Sequence, residues 1–129
     1  MTSRFATRLI AAVGLASAVA VPALAHHSTV MFARDKEVKL TGTVTRFAYT
    51  NPHAFIQITV PGPEGSPVEW RIATEASVVL DRAGIESRAL QPGEQVTVRA
   101  YPLKSGQPGG WLIDLTRADG TVLDPDPDN

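Results

Sequence analysis

Val38-Lys39-Leu40-Thr41-Gly42-Thr43-Val44-Thr45-Arg46-Phe47-Ala48-Tyr49 alternates apolar and polar side chains and then changes step. Val38, Leu40, Gly42 and Val44 share one face, with lysine and threonines on the other. Such a period of two marks a half-buried strand. At Phe47 and Tyr49 the apolar positions pass from even to odd numbers. A bulge or strong bend, helped by Gly42, accounts for the switch, because one extra residue turns a strand over. A long, bent first strand is what a small closed barrel requires.

The segments downstream fit that expectation. Asn51-Pro52 forms a turn, since proline restricts its predecessor and cannot donate to a ladder. A second strand starts near His53, with Ala54, Ile56, Ile58 and Val60 on one face and Phe55, Gln57 and Thr59 on the other. Pro61-Gly62-Pro63-Glu64-Gly65-Ser66 is a turn-rich loop, and Val68, Trp70 and Ile72 alternate in a third strand. A helix follows, with Thr74 as its expected cap, Ala76, Val79, Leu80 and Ala83 on its apolar stripe and Gly84 at its end. Ile85 and Leu90 pack back on the core. Val96, Val98 and Ala100 form strand four; after a Gly/Pro loop, Trp111, Ile113 and Leu115 form strand five. Three strands, one helix and two strands is the order of a mainly β, five-stranded OB-like barrel. A β-sandwich would show about seven strands and no mid-chain helix. Trp70 and Trp111 fall on the inward parity and are expected in the core. Asp124, Asp126 and Asp128, spaced by prolines, read as a disordered acidic tail without the pattern of a calcium loop.

Upstream of the barrel the chain reads differently. Arg4 and Arg8 precede an apolar run over residues 9–21, Pro22 breaks it, and Ala23 and Ala25 occupy the small-residue positions before a cut. That is a cleavable secretory signal; the run is shorter than the ~20 residues of a membrane span and ends in a cleavage-type sequence. The expected organisation is therefore signal peptide 1–25, N-terminal arm 26–36, barrel 37–118 and acidic Pro-rich tail 119–129. Met31 and Phe32 are the residues able to pin the arm to the barrel. The expected location is periplasmic or secreted, with no membrane span after cleavage. No cysteine is present, so neither a disulfide nor a lipid-modified N-terminal cysteine is available. About 100 residues remain, enough for one core without covalent staples.

Composition narrows the function classes. The chain has 12 basic and 13 acidic residues; removal of Arg4 and Arg8 leaves 10 basic against 13 acidic, a net charge of −3. With no Lys/Arg cluster, nucleic acid is not an expected partner. No cysteine nucleophile, nucleophile-elbow serine or spaced carboxylate pair is present, so no catalytic residue is assigned. The Gly106-Gln107-Pro108-Gly109-Gly110 stretch lacks the lysine and helix of a phosphate loop.

The chain contains 3 histidines: His26 and His27 just after the expected cut, and His53 in Thr50-Asn51-Pro52-His53. Cleavage after Ala25 frees the His26 α-amine, with a pKa of about 7.7–8.0 beside an imidazole of about 6.5. Both groups lose protons to a metal near neutral pH. Amine and Nδ1 of one residue, with a second imidazole, make a T-shaped three-nitrogen set suited to Cu(II). His53 is the expected second imidazole, with His27 as its substitute; a structural zinc would normally have four ligands. Met31 is a soft candidate for Cu(I), Tyr49 a candidate near an axial position, and Asn51 and Phe55 candidates on the ligand face. The alternative is a metal-free module binding a small molecule, peptide or protein near the Asn51-Pro52 turn. A shared site requires the arm to double back along the barrel from the start of the first strand.

The Ala-His-His-Ser junction, Leu40-Thr41-Gly42-Thr43-Val44, Thr50-Asn51-Pro52-His53, Trp70, Leu90-Gln91-Pro92-Gly93-Glu94-Gln95-Val96 and Pro102-Leu103-Lys104-Ser105-Gly106 followed by Gly109-Gly110 together carry a family resemblance. On them the chain resembles a family of small exported bacterial proteins of unknown function. The resemblance implies export and this architecture and brings no activity, ligand or cofactor.

Overall fold

Strand β1 (Val38–Ala48) is shared by two neighbours, and the barrel is built around that sharing. Its first half, residues 38–43, pairs antiparallel with β4 (Gln95–Pro102), and residues 43–48 pair with β2 (Phe55–Pro61). The structure, a computed structural model, describes residues 29–127. The expected signal, His26, His27 and residues 128–129 lie outside the described residues.

β2 pairs with β3 (Pro67–Ala73), and β4 with β5 (Gly109–Arg117). A parallel ladder joining residues 71–73 of β3 to residues 109–111 of β5 closes the sheet into a five-stranded barrel. With helix α1 (Ser77–Arg82) between β3 and β4, this is the OB-type topology.

The parity switch in β1 has the expected cause. Val44 pairs with Ile58 but Arg46 pairs with Gln57, so Thr45 is an extra residue in the ladder. Downstream of this bulge Phe47 turns to the core side. Gly42 serves the same strand by leaving room. A Cβ there would lie 2.4 Å from the Thr59 carbonyl oxygen, where β1 passes from one partner to the other. Gly42→Ala is therefore expected to destabilise the fold by about 1–3 kcal/mol through overpacking. A lower urea midpoint with an unchanged m-value would register this.

The core contains Val44, Ile56, Ile58, Ile72, Val96, Val98, Leu112 and Leu115, with Leu90 packed back onto it. Ala54, Leu80 and Ile85 form a second cluster under α1, bordered by Phe47, Tyr49 and Leu123. α1 ends as expected at Gly84, whose φ of 74° suits glycine. The Gly84 N–H donates to the Asp81 carbonyl and the Ile85 N–H to the Leu80 carbonyl, a Schellman closure.

Three expectations need correction. Trp111 is buried as expected, but Leu112 rather than Ile113 joins Leu115 in the central core cluster, to which Trp111 does not belong. Arg99 pairs with Asp114 and Ala100 with Leu112, so Ile113 is bulged and the strand does not keep one parity. Thr74 does not cap the helix: Ala76 holds the N-cap position, and Thr74 is buried with its hydroxyl unbonded among the described residues. The tail is ordered through much of its length. β6 (Val122–Leu123) pairs with residues 115–116 of β5, Pro125 is buried, and Asp124 closes a turn onto the Asp126 N–H. Leu123, packed against both clusters, is the apolar anchor that a composition-based reading of this acidic segment overlooks.

Candidate functional site

Trp111 is where the arm and the Asn51-Pro52 turn meet. The bulge at Ile113 leaves Trp111 outside the core cluster, in register with Tyr101 of β4 and Ala73 of β3. It is nevertheless only 7% exposed, because side chains from two other segments cover it. The Phe32 ring lies 5.7 Å from the indole at a 55° tilt, and the His53 ring lies 5.3 Å away, edge to face at 82°. These are favourable separations and orientations for aromatic pairs. The two contacts put the Phe32 and His53 rings within about 11 Å of each other.

The backbone explains why both rings reach the indole. The Ala33 N–H donates to the Pro102 carbonyl (2.8 Å), and the Lys104 N–H donates to the Met31 carbonyl (2.9 Å). The arm is thereby laid along the end of the β4–β5 hairpin, with Phe32 bridged to Leu103. Gly109 makes room for this packing, since a Cβ there would lie 2.7 Å from the Leu103 side chain. The arm also turns: the Phe32 N–H donates to the Thr29 carbonyl (3.2 Å).

On the other side, the Thr50 hydroxyl donates to the His53 carbonyl (2.9 Å). Ala54 exchanges backbone hydrogen bonds with the segment after β3, donating to Glu75 and accepting from Thr74. His53, half-buried, is thus held by its own turn and by the strand end that carries Ala73 beside Trp111. The Asn51–Pro52 peptide within this turn is cis.

Beside the indole lies a cleft of about 170 Å³ bordered by Arg34, Glu75, Tyr101, Trp111, Asp124 and Asp126, among others. Arg34 leans over the Tyr101 ring at 5.6 Å. Three carboxylates against one guanidinium give the cleft a net negative lining, which raises the local concentration of cations. Among the described residues no three His, Asp or Glu side chains form a metal-holding group.

The other residues singled out from the sequence have different surroundings. Met31 has its backbone in the arm's pairing and its side chain 53% exposed. Tyr49, expected near a metal's axial position, ties the turn to α1 instead. Its hydroxyl is bonded to the carboxylate of Asp81 and to the carbonyls of Ser77 (3.0 Å) and Ile85 (3.1 Å). Asn51, expected on a ligand face, caps α1: its Oδ1 accepts from both the N–H (3.2 Å) and the hydroxyl (3.0 Å) of Ser77. That remote cap supplies what Thr74 does not. Phe55 lies between two guanidiniums, Arg71 at 3.8 Å and Arg46 at 5.5 Å from its centroid.

Burial, then the hydrogen bond to Asp81 and the nearby negative charges, push the Tyr49 pKa up to about 12. The folded state thus holds this proton more tightly than the unfolded chain, whose tyrosine pKa is about 10. The contribution is complete below pH 10 and is lost as pH rises toward 12. Thermal midpoints measured across that window are expected to fall more steeply for the native chain than for Tyr49→Phe.

A family model described as "Family of unknown function (DUF6152)" matches residues 14–112. The chain belongs to this family. The match spans the arm, β1 to β4 and the start of β5, including His53 and Trp111. No curated protein matches the chain significantly. Solved structures similar to it include the mitochondrial single-stranded DNA binding protein Rim1 from S. cerevisiae (Form2). That similarity has 13% identity and a TM-score of 0.49, covering 64% of this chain and 93% of that one. A second is the ZRD-deleted mutant of TiaS in complex with agmatine, with 16% identity and a TM-score of 0.45, covering 70% of this chain and 26% of that one. Among the described residues no helix is long and apolar enough to cross a membrane.

Proposed function

We propose that the mature protein is an exported, periplasmic or secreted, copper-binding module. Its ligands are the α-amine and imidazole of His26, made available by cleavage after Ala25, and the imidazole of His53. His27 is the neighbouring substitute imidazole. The observation that supports this most directly is the junction at Trp111, on which the arm, through Phe32, and His53 both pack. The arm must double back for the histidines to share a metal, and its residues 31–33 pair with residues 102–104 of the hairpin that carries Trp111. Six peptide units separate His26 from Phe32, a maximum span of roughly 20–22 Å, against rings within about 11 Å. Length is no obstacle. Three nitrogen donors in a T suit Cu(II), the strongest binder in the divalent series, and the acidic cleft favours approach of a cation.

The test is a titration of Cu(II) into mature protein whose first residue is verified as His26 by mass. One equivalent should bind with nitrogen hyperfine structure in EPR, and His53→Ala should remove tight binding. A stoichiometric site indifferent to His53→Ala would sink this ligand set.

One feature favours a second reading, a metal-free module. On the outer face of β1–β3, Phe55 carries Arg71 and Arg46 over its ring. Neither arginine has an ion pair among the described residues. Such a surface fits a small anion or an acidic patch on a protein partner. Loss of partner binding in Arg46→Ala/Arg71→Ala, with no copper bound by the native chain, would favour it.

A further inference from the structure

We infer that Arg71 and Arg46, flanking Phe55 on the outer face of β1–β3, form a docking point for an extended acidic segment of a partner protein. The inference rests on the second reading above and adds the chemistry of the partner and the part each side chain plays.

The sheet register brings these residues together. Ala54 and Ile56 are buried on the inner side of β2, so Phe55 and Gln57 point outward. Phe55 stands opposite Ala48 of β1 and Ala73 of β3, small neighbours that leave room beside its ring. Two residues along, Gln57 stands opposite Arg46 on one side and Arg71 on the other. Both arginines are exposed, and Phe55 is half-buried.

The two guanidiniums are held differently. The Arg71 guanidinium carbon lies 3.8 Å from the Phe55 ring centroid, a van der Waals separation, whereas that of Arg46 lies 5.5 Å away. A guanidinium seated on a ring uses its flat face there and keeps its N–H edge for an acceptor. Arg71 is thus a fork held ready for two carboxylate oxygens, with less side-chain freedom to lose on binding. Arg46 supplies a second positive charge. Glu69 stands two residues from Arg71 on the same face of β3, yet its carboxylate accepts from the Gln57 amide (3.0 Å). Neither guanidinium is in an ion pair among the described residues.

Shape and spacing select the occupant. The outside of a closed barrel is convex, whereas small-molecule sites are concave, so a macromolecular partner fits this face better. Two cations are few for a polyphosphate backbone, whose affinity grows with the number of phosphates neutralised. The two guanidinium carbons lie within about 9 Å of each other. Alternate side chains of an extended segment leave one face roughly 6.5–7 Å apart. One acidic residue therefore reaches the Arg71 fork while the next on that face reaches Arg46.

The test uses the mature chain with a metal chelator present and a fluorescent peptide of alternating glutamate and serine. Anisotropy should report binding at low ionic strength that weakens as salt is added. Arg71→Lys keeps the charge but loses the fork and the stacking, and is expected to weaken binding about fivefold. Arg46→Lys should stay within about twofold of the native affinity, because a point charge suffices there. Phe55→Leu keeps both charges and removes the platform, so its affinity should fall close to that of Arg71→Lys. The two lysine variants change only exposed side chains and decide the matter even where Phe55→Leu fails to fold. Native affinity in Arg71→Lys, or preference for an oligonucleotide or inorganic phosphate over the peptide, would overturn this inference while the anion-binding face stood. Binding of none of these probes by the native chain would remove the second reading and this inference together.

Discussion

Trp111→Ala is expected to destabilise the domain by about 3–5 kcal/mol, the range for deleting a large buried aromatic. At roughly 4–8 °C per kcal/mol for a domain of this size, the thermal midpoint should fall by more than about 10 °C. The loss has two parts. One is apolar contact area and the void left where the indole stood. The other is that Phe32 and His53, which have this ring in common, lose it at once. Trp111→Phe should cost much less, because a smaller ring still offers a face to both. Paired melts of the two variants provide the check, with limited proteolysis at the arm as a local probe. An arm as resistant in Trp111→Ala as in the native protein would show that its backbone hydrogen bonds to Pro102 and Lys104 suffice without the ring.

Acetylation of the His26 α-amine is expected to lower Cu(II) affinity by at least about 100-fold. Removing an outer-shell partner of a metal ligand typically costs 10–100-fold, and here an inner donor is lost. The acetyl group leaves every side chain in place, converts the His26 amine into an amide and brings no new terminal amine. The acetylated chain therefore separates a chelate that needs the chain terminus from one made by imidazoles alone. Isothermal titration of the acetylated and native mature chains provides the measurement, with mass spectrometry confirming each first residue. Equal affinities would transfer the site to the His27 and His53 side chains.

Much of the architecture can be read from residues 38–49, because a parity switch inside one long alternating strand has few explanations, and the extra residue Thr45 is the one found. The bulge in β5 carries no such mark. Trp111, Leu112, Ile113 and Leu115 are all apolar, so either parity looks acceptable and only the pairing with β4 decides between them. The cap of α1 is similarly hidden. Asn51 and Ser77 are joined by side-chain geometry across 26 residues, and nothing local to the helix announces the partnership. For the site, the scarcity of histidine makes His53 conspicuous, but its neighbours on the folded surface are not. Phe32 is legible as a pin for the arm, and what it pins to depends on a strand parity that the sequence leaves ambiguous. Tyr49 shows the opposite hazard, a polar aromatic beside a turn whose hydroxyl turns out to serve the helix.

The two-residue strand β6 also bears on the protein's resistance to aggregation. A sheet edge offers unpaired N–H and C=O groups to any extended segment that meets it, and thus invites aggregation. Along β5, residues 109–111 are taken by the parallel ladder to β3, and residues 115–116 are covered by β6. β6 itself exposes a very short edge and is followed by Pro125 and Pro127, neither of which can donate to a further strand. A domain with no cysteine, and so no disulfide, thereby presents little template for cross-strand recruitment by its own unfolded copies.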